Sequence, residues 1–544
     1  MQLKHFLVFG LGSLAPAALA TPTVTISNGT VIGRSLLEFK QDVFLGIPYS
    51  DPPTRFEVSV PRSTRFVAPG FDASNYSDIC YGTDSATSGF NVSEDCLSIN
   101  VIRPVGTSAN SSLPVVIWMH GGGFWGGSSA DPQLNGSYIV ERSVALGSPI
   151  IFTSINYRLL FYGFPSGNEP HQAGIENLGL KDQRLAFKWV QENIAAFGGD
   201  ASKVTVMGES AGGTGILQHM TAYGGRNDGL FRAAIIESGS FYDIPCNWNI
   251  SAIREAKYQS FLNDTGCGDL DCLKTLDNDV LYNVSLTYYA DFLPSIDGDF
   301  MTKHAVELFN EGNFVSVPLL MGVNNDEGNI LINSGSNTTA DIQSALTDLN
   351  ASSYSIYEDA FTKLFELYPD DPAAGVPMNT GSGLLSTGIM DKTSYLIAGD
   401  AIEHSVRRWM TGLFAKAGNA VFSYRFTQVP WHALMSSGAT HGTEITYVFG
   451  NTNPSISSPL GPRASDYRLS QFMTGAWVSF IHHLTPDPVN SSDLVLSWPD
   501  YRNSSQNMVF LADANSVEED TYRQEGIELW TQQRILGCSG ITAP

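Results

Sequence analysis

The fold is decided by the stretch Val204-Thr205-Val206-Met207-Gly208-Glu209-Ser210-Ala211-Gly212. Its β-branched start predicts a strand, and the residues that follow Gly212 are compatible with a helix. A serine between a strand and a helix lies on a tight turn that projects its hydroxyl above the sheet, and small flanking residues are needed because the turn is strained. In a chain with 52 glycines the Gly-x-Ser-x-Gly pattern alone is a weak signal, so its context has to support it.

Apolar runs of strand character alternate with helical stretches on both sides of this turn. In the stretch 180–196, Leu185, Trp189 and Ile194 lie on one face of a predicted helix. A second helical stretch covers 395–415. Strands separated by helices favour an α/β fold with a mostly parallel central sheet and helices on both faces. The predicted strands are 114–119, 149–153, 204–207, 233–236, 317–321 and 420–426.

The chain of 544 residues contains no tandem repeat, low-complexity tract or long linker, so one domain over 21–544 is the prediction. Residues 1–20 are interpreted as a signal peptide. Lys4 provides the positive end, 6–14 the apolar stretch and Ala18-Leu19-Ala20 the cleavage site. The alternative, a membrane anchor, is disfavoured because the apolar stretch is shorter than the roughly 20 residues that span a bilayer.

The composition behind the signal peptide is typical of a secreted, extracellular glycoprotein. Six cysteines are an even count, which favours disulfides over metal ligation in an oxidising compartment. Cys267 and Cys272 have no neighbouring Cys or His pair of zinc-site spacing. Twelve Asn-x-Ser/Thr sequons are candidate glycosylation sites, at Asn28, Asn75, Asn91, Asn110, Asn135, Asn249, Asn263, Asn283, Asn337, Asn350, Asn490 and Asn503.

A glycine-rich segment follows the predicted strand 114–119 and reads His120-Gly121-Gly122-Gly123-Phe124. Bare glycines let backbone N–H groups point into a cleft, and acyl transfer needs such donors because its tetrahedral intermediate carries an oxyanion. An ordinary turn or a phosphate loop is the alternative. The segment lacks the Gly-Lys-Ser/Thr ending of a phosphate loop and is followed by aromatic residues, which favours the oxyanion interpretation.

A nucleophilic serine needs a base and a carboxylate that orients it. The serine hydroxyl is protonated at neutral pH, and histidine titrates in the useful range, so the base is sought among ten histidines. In this arrangement the acid lies between the serine and the histidine in the chain. Asp326 and Glu327 both follow the predicted strand that ends at Met321, and either one fits that position.

The stretch 197–212, from Phe197 to Gly212, resembles the signature of the type-B carboxylesterases, the family of cholinesterases, carboxylesterases and fungal lipases. A second family signature is similar to Glu94-Asp95-Cys96-Leu97-Ser98-Ile99-Asn100-Val101. Further matches are Asn156-Tyr157-Arg158 and 177–184, so that the resemblance covers nearly the whole mature chain. The pattern is most similar to secreted fungal carboxylesterases and lipases, and it implies the α/β-hydrolase fold and a single catalytic domain.

The resemblance assigns roles residue by residue. Ser210, Glu327 and His441 match the catalytic triad, with His441 in a loop, 438–450, that resembles the family's histidine loop. His120, His219, His482 and His483 lack that setting and are interpreted as structural. Gly122, Gly123 and Ala211 match the oxyanion-hole donors, and Glu209 and Ser238 match polar residues that support the triad.

Two disulfides are implied by the same resemblance, Cys80 with Cys96 and Cys267 with Cys272. Closing a loop of about 15 residues stabilises a protein by roughly 3 kcal/mol in the chain-entropy model. Cys246 and Cys538 match no family pair. They pair with each other or stay free.

The formal net charge of −24 disfavours nucleic acid and anionic membranes as partners. No Lys/Arg run forms a basic patch. We expect no cofactor, no metal and no stable membrane anchor, and the expected partner is a small-molecule ester. The sequence does not indicate an oligomeric state.

These observations predict a serine hydrolase that cleaves carboxylic esters through an acyl-enzyme on Ser210, with short-to-medium acyl esters or acylglycerols as substrates. Alternatives are a true lipase acting on long-chain triacylglycerol or sterol esters, an amidase, and a non-catalytic binding protein of the same fold. Choline esters are disfavoured because the Cys80–Cys96 loop holds only Tyr81 and Phe90 as aromatics and lacks a cation-binding Trp.

The loop between Cys80 and Cys96 has 15 intervening residues and is mostly polar. In the family's interfacially activated lipases the equivalent loop is a longer apolar flap over the site. Phe90 and Val92 offer little apolar area for a lipid surface. The sequence therefore predicts a permanently open site that prefers dissolved esters.

Overall fold

The computed structural model describes residues 21–83, 87, 89–241, 250–353, 358–435, 437–487 and 496–538. The predicted signal peptide, Cys246 and the sequons at Asn249 and Asn490 lie outside the described residues. So does the side chain of Asn350.

The described strands form a large sheet and a small one. The large sheet has 11 strands in the order β14-β13-β12-β11-β10-β9-β7-β8-β6-β4-β3, and the small sheet pairs β1, β2 and β5. The strands are β1 Thr23–Ile26, β2 Gly29–Ile32, β3 Arg34–Leu36, β4 Gln41–Pro48, β5 Phe71–Asp72, β6 Ser98–Pro104, β7 Leu113–Met119, β8 Ile151–Ile155, β9 Gly199–Glu209, β10 Ala233–Glu237, β11 Leu319–Asn324, β12 Val421–Phe426, β13 Gln506–Phe510 and β14 Ser516–Glu519.

The centre of the large sheet is parallel and its margins are antiparallel. Strand β7 pairs in parallel with β8 and β9, and the parallel ladder continues through β10, β11 and β12 to β13. Strands β3, β4 and β6 on one side and β14 on the other pair antiparallel to their neighbours. The prediction of a mostly parallel central sheet is confirmed.

Helices occupy most connections between the parallel strands. The α-helices are Ser137–Ala145, Leu160–Gly163, Asn168–Gln172, Leu178–Asn193, Ala211–Gly225, Ile250–Thr265, Leu270–Thr275, Asn278–Thr287, Ala305–Glu311, Thr339–Ser353, Glu358–Leu367, Asp391–Gly399, Ser405–Lys416, Ile445–Phe449, Ala464–His483, Tyr501–Ser504 and Gln524–Cys538. Short 3-10 turns cover Pro132–Leu134, Ile194–Phe197 and Glu327–Asn329, and a π-helical turn covers Asp400–His404.

The core lies on both faces of the sheet. Successive residues of a strand point to opposite faces, and β7 shows the consequence. Its Val115, Ile117 and Met119 belong to a buried cluster with the helices Leu178–Asn193 and Ala211–Gly225. Its Val116 and Trp118 belong to a second cluster that includes Ser137–Ala145 and Ala464–His483. Helices therefore cover both faces, which confirms the predicted layering.

Two disulfides lie in the described part of the chain, Cys80–Cys96 and Cys267–Cys272, with Cα–Cα distances of 5.0 and 5.5 Å. They are the two pairs that the resemblance implies. Cys538 is disulfide-bonded as well.

The sequons differ in accessibility. Asn28 is 8% exposed, and its Nδ2 donates to the backbone oxygen of Arg62 at 2.9 Å. A glycan on that amide would have to displace this hydrogen bond, so the packing disfavours Asn28 as a glycosylation site. Asn135 is partly buried. Exposed sequon asparagines are Asn75, Asn91, Asn110, Asn263, Asn283, Asn337 and Asn503.

None of the helices in the described ranges combines the length and the apolar character that crossing a bilayer requires.

Candidate active site

Ser210 lies between β9 and the helix Ala211–Gly225, in the conformation φ 55°, ψ −125°. A non-glycine residue in this region of backbone space is strained, and such strain is common where a side chain must be presented for function. A β-carbon at Gly212 would lie 2.2 Å from the backbone oxygen of Met119. The turn therefore needs glycine there because it packs directly on the end of β7.

The glycine-rich segment 120–124 leaves the end of β7 and lies beside the serine turn. A β-carbon at Gly121 would lie 3.0 Å from Cβ of Ser210. Gly122 and Gly123 have φ angles of +103° and +62°, which favour glycine over other residues. Both line one cavity with Ser210. Ala211 begins a helix, where backbone N–H groups lack intrahelical acceptors.

His120 contacts the backbone of this glycine segment. Its Nδ1 is 2.9 Å from the backbone oxygen of Gly121, and its ring stacks on Tyr157 with 4.5 Å between centroids. The Tyr157 hydroxyl donates to the backbone oxygen of His120 at 2.8 Å. Burial lowers the pKa of His120 to about 4, so that the ring is neutral at neutral pH.

His441 and Glu327 form a short contact of 2.6 Å between Nδ1 and Oε2. The other oxygen of Glu327, Oε1, accepts from the Ser238 hydroxyl at 2.7 Å and from the backbone N–H of Asn324 at 2.6 Å. The Glu327 side chain is fully buried. With both oxygens engaged, the carboxylate is fixed and holds the imidazole in one orientation.

Asp326, the neighbouring carboxylate, has different partners. Its Oδ2 accepts from the backbone N–H of Ala439 at 2.7 Å, and its Oδ1 accepts from the backbone N–H of Met378 at 3.0 Å. Asp326 therefore ties the backbone of the histidine loop to the loop after β11. Within the part of the chain that the structure describes, Asp326 makes no hydrogen bond with the imidazole of His441.

The second nitrogen of His441 faces Glu209. The distance from Nε2 of His441 to Oε1 of Glu209 is 3.3 Å. Within the described part of the chain no hydrogen bond joins Ser210 Oγ to His441, although both line the same cavity. Catalytic hydrogen bonds are often long without substrate and tighten when it binds, so this geometry is compatible with a serine–histidine pair.

The charges around His441 set its protonation. Burial lowers the pKa of His441, but the carboxylates of Glu327 and Glu209 act more strongly together and hold its pKa well above 6.5, its ordinary value. Burial raises the pKa of Glu209 to about 7, against the lowering effect of His441. The site therefore favours a charged imidazolium next to a buried carboxylate.

Three further buried glutamates act on the charges of His441 and Glu209. The sequence analysis assigned them no role. Burial raises the pKa of Glu444 to about 8 and the pKa values of Glu237 and Glu403 well above their ordinary range. Trp477 Nε1 donates to Glu237 at 2.8 Å, and the Asn324 side chain donates to Glu444. Glu444 lies within the loop 438–450 and Glu237 directly follows the predicted strand 233–236, but nothing in their spacing signals burial.

The cavity above Ser210 has a volume of about 660 Å3, within the range typical of small-molecule sites. One wall is apolar and is formed by Ile330, Leu331 and Ile332, and the other carries Ser240 and Glu403. A second cavity of about 370 Å3 meets the first at Gly122, Glu209, His441 and Gly442. Ile330 is 57% exposed and Tyr289 is 44% exposed at the wall of the first cavity, which is open to solvent there.

Across the described ranges no group of three or more His, Cys, Asp or Glu side chains is arranged to hold a metal ion.

The fold and this arrangement define a hydrolase of the α/β class. A model of the carboxylesterase family matches residues 20–530. The chain belongs to the carboxylesterase family and is a carboxylic ester hydrolase, which confirms the resemblance and the predicted enzyme class.

Fungal lipases are among its relatives. The chain is 33% identical to lipase 2 of Diutina rugosa over 91% of this chain and 92% of that one. It is 31% identical to the secreted triacylglycerol lipase of Gibberella zeae over 94% and 90% of the two chains.

Solved esterase structures share the fold. Aspergillus niger EstA superposes with a TM-score of 0.82 at 26% identity, over 95% of this chain and 99% of that one. A PNB esterase superposes with a TM-score of 0.74 at 27% identity, over 93% and 100%. The predicted α/β-hydrolase fold is confirmed.

Proposed function

We propose that this protein is a secreted serine esterase that hydrolyses short-to-medium acyl esters, acylglycerols among them, through an acyl-enzyme on Ser210. The observation that carries the proposal is one cavity lined by three elements. These are Ser210 on its strained turn, the glycines of the segment 120–124, and His441 held by Glu327 at 2.6 Å. A nucleophile, oxyanion donors and an oriented base are what acyl transfer requires.

In the first half of the reaction, Ser210 Oγ attacks the ester carbonyl carbon and its proton passes to Nε2 of His441. The N–H groups of Gly122, Gly123 and Ala211 stabilise the oxyanion that forms on the former carbonyl oxygen. As the intermediate collapses, the bond from the acyl carbon to the alcohol oxygen breaks. His441 gives its proton to that oxygen, and the alcohol leaves.

Water completes the reaction. It adds to the acyl carbon and gives a proton to His441, and the second intermediate breaks its bond to Ser210. The serine oxygen regains the proton and the carboxylic acid is released. Glu327 orients and stabilises the imidazolium, supported by Ser238 and by the backbone of Asn324. Glu209 faces the proton-carrying nitrogen from the other side.

Substrate size is inferred from the loop between Cys80 and Cys96. Its first residues are fixed: Tyr81 stacks on Tyr162 with 5.2 Å between centroids. The backbone oxygen of Gly82 accepts from the hydroxyl of Tyr282 at 2.7 Å, and the N–H of Thr83 donates to the backbone oxygen of Trp125 at 2.8 Å. A loop whose first residues are held in this way supports the proposal of an open cavity for dissolved esters.

The alternative is a true lipase acting on long-chain triacylglycerol or sterol esters. Relatives carry the name lipase, and one is named a triacylglycerol lipase. In the loop before His441, Leu434 is 72% exposed and Met435 is 60% exposed, which offers apolar surface close to the site. A non-catalytic binding role is disfavoured because Ser210, Glu327 and His441, the three residues of the proposed triad, are all present.

Secretion and processing are part of the proposal. Residues 1–20 have the pattern of a signal peptide, and relatives are named secreted lipases. Residues 21–544 are proposed to form one catalytic domain, supported by a sheet that takes strands from Arg34 to Glu519. Glycans are proposed at the exposed sequons, and Asn28 is excluded from them.

A chain-length series of 4-nitrophenyl esters tests the proposed substrate class. We expect kcat/KM to be highest for acyl chains of about four to eight carbons and to fall for longer chains, because the cavity of about 660 Å3 limits the buried length. Emulsified long-chain triacylglycerol is assayed beside the series. A higher rate on that emulsion than on the best short ester would favour the true lipase.

A further inference from the structure

Glu403 is a buried acid in the wall of the cavity that contains Ser210. Its side chain is 3% exposed, and it lines this cavity with Ser240 and Thr214. The reaction described above uses neither oxygen of Glu403. Buried carboxyls are rare without a partner or a role.

The backbone that carries Glu403 is unusual. A π-helical turn, Asp400–His404, separates the helices Asp391–Gly399 and Ser405–Lys416. A π turn inserts a residue and changes the direction of the side chains around it, and such turns occur frequently at functional sites. Here the turn carries Glu403 into the cavity wall.

Only one side of the Glu403 carboxyl is engaged. The Ser240 hydroxyl hydrogen-bonds to Glu403. The Oε2 atom is buried and has no hydrogen-bond partner among the described residues. An unsatisfied buried polar atom destabilises a fold, and native proteins keep few of them. Because Glu403 lines the cavity, a ligand oxygen that reaches this carboxyl would satisfy the atom.

Burial favours the protonated form of Glu403, which is a hydrogen-bond donor. Burial raises its pKa well above the ordinary range, the negative charges of Glu327 and Glu209 raise it further, and His441 lowers it. A carboxylic acid has one O–H donor, so a protonated Glu403 needs an acceptor oxygen. An all-carbon ligand leaves that donor unsatisfied.

We assign the acyl half of the substrate to the cavity that Glu403 lines. The acyl carbon is bonded to Ser210 Oγ and its oxygen faces Gly122 and Gly123, and all three residues line the cavity that contains Glu403. The second cavity shares His441 and Gly442 with the first and adds Thr443, and Ser210 is not among its lining residues. We assign the departing alcohol to this second cavity, because His441 protonates it.

We propose that Glu403 is a specificity-determining residue that donates a hydrogen bond to an ether or carbonyl oxygen on the acyl chain. The enzyme then prefers oxygen-containing acyl groups over all-carbon chains of the same length. This inference rests on the proposed function, because it concerns the substrate of the same site. A site that hydrogen-bonds a substrate oxygen discriminates against the analogue that lacks it.

Matched esters test the inference. They are 4-nitrophenyl butanoate with methoxyacetate, pentanoate with 3-methoxypropanoate, and hexanoate with 4-methoxybutanoate. Each pair differs by one CH2 replaced by oxygen. The ratio of kcat/KM for the oxygen ester to that for the carbon ester is divided by the same ratio for alkaline hydrolysis, which removes the intrinsic reactivity. We expect the corrected ratio to exceed one for at least one pair in the wild type.

Two variants separate hydrogen bonding from packing. In Glu403→Leu the corrected ratio for the preferred pair should fall by about tenfold, whereas Glu403→Gln, which keeps an N–H donor, should retain most of the preference. Glu366→Leu, at a side chain that is 62% exposed, is the matched surface control and should leave the ratio unchanged. A merely structural role of Glu403 would lower all rates without changing the ratio.

The outcomes are distinguishable. A wild-type corrected ratio at or below one for all three pairs overturns the inference without any variant, and so does an unchanged ratio in Glu403→Leu. In both cases ester hydrolysis by the wild type leaves the proposed function intact. A wild type that hydrolyses none of the six esters overturns the proposed function and this inference together.

Discussion

Two adjacent carboxylates, Asp326 and Glu327, have different hydrogen-bond partners in this protein. The residue pattern alone allowed either one to be the carboxylate that orients the histidine, and the family resemblance selected Glu327. The structure separates them by their partners: Glu327 contacts the His441 imidazole, whereas Asp326 accepts from the backbone of Ala439 and Met378. A one-residue difference of this kind depends on the backbone path after β11, which residue types do not encode.

Glu327→Gln should lower kcat by about 10^3- to 10^4-fold, because an amide cannot fix the tautomer or stabilise the charge of the imidazolium. Asp326→Asn is the control one residue away and should lose less than about tenfold, or about 1.4 kcal/mol of barrier. Steady-state kinetics on 4-nitrophenyl butanoate compare the two. The opposite ranking would assign the orienting role to Asp326.

The pH dependence follows from the charges at His441. A general base must be unprotonated, and the pKa of His441 is held well above 6.5 by Glu327 and Glu209 despite burial. We therefore expect kcat/KM to fall as pH drops through a value above 6.5, earlier than for an ordinary histidine. Glu209→Gln removes one raising charge and should move the inflection to lower pH.

The matched comparison for this pH profile is Asp326→Asn, since Asp326 is not among the groups with the largest effect on the pKa of His441. That variant should keep the wild-type inflection. An inflection at or below 6.5 in the wild type would show that burial outweighs the two carboxylates.

At the scale of elements, the functional residues are brought together by the carboxyl ends of the parallel strands. The glycine segment follows β7, Ser210 follows β9, Ser238 follows β10 and Glu327 follows β11. In open α/β sheets this edge is where ligands bind. The strands and their connection to these residues were predictable from apolar runs. The spatial order of the strands, with β7 between β8 and β9, was not predictable, because it depends on crossover connections and not on the local sequence pattern.

In the helical stretch 395–415 the sequence did not predict the π-helical turn. Its composition predicts one helix, and the structure divides it into Asp391–Gly399, the π turn Asp400–His404 and Ser405–Lys416. Insertion of a single residue changes the apolar period too little to be detected over so short a window. Glu403 was missed for that reason.

We expect the loop between Cys80 and Cys96 to determine how the hydrolysis rate changes at a lipid surface. With a fixed start at Tyr81 and half-buried Phe90 and Val92, it presents little apolar area to a lipid surface. The rate on tributyrin should therefore rise smoothly and level off through the solubility limit. The measurement is initial rate against tributyrin concentration across saturation.

A sharp increase in rate on emulsion formation would contradict this expectation. The exposed Leu434 and Met435 would then be the first residues to test as the lipid-binding surface. Replacing both by serine should abolish the increase if they contact the emulsion, and should leave the rate on dissolved substrate unchanged.

At the scale of the whole molecule, the chain combines a strongly acidic surface with a two-layered core. Its 54 acidic and 30 basic residues give the net charge of −24, which suits a dissolved protein and disfavours polyanionic partners. Composition, motifs and family resemblance were sufficient for the class of enzyme. They were insufficient for the buried glutamates around His441, because burial of a charged residue type is decided by tertiary packing.

The central claim, an acyl-enzyme on Ser210, is tested most directly by peptide mass spectrometry after reaction with a 4-nitrophenyl alkylphosphonate, which leaves a stable analogue of the tetrahedral intermediate on the nucleophile. We predict one adduct per chain on the peptide that contains Ser210, loss of ester hydrolysis in proportion to labelling, and no adduct in folded Ser210→Ala. An adduct on another residue, or substantial hydrolysis by Ser210→Ala, would contradict the account.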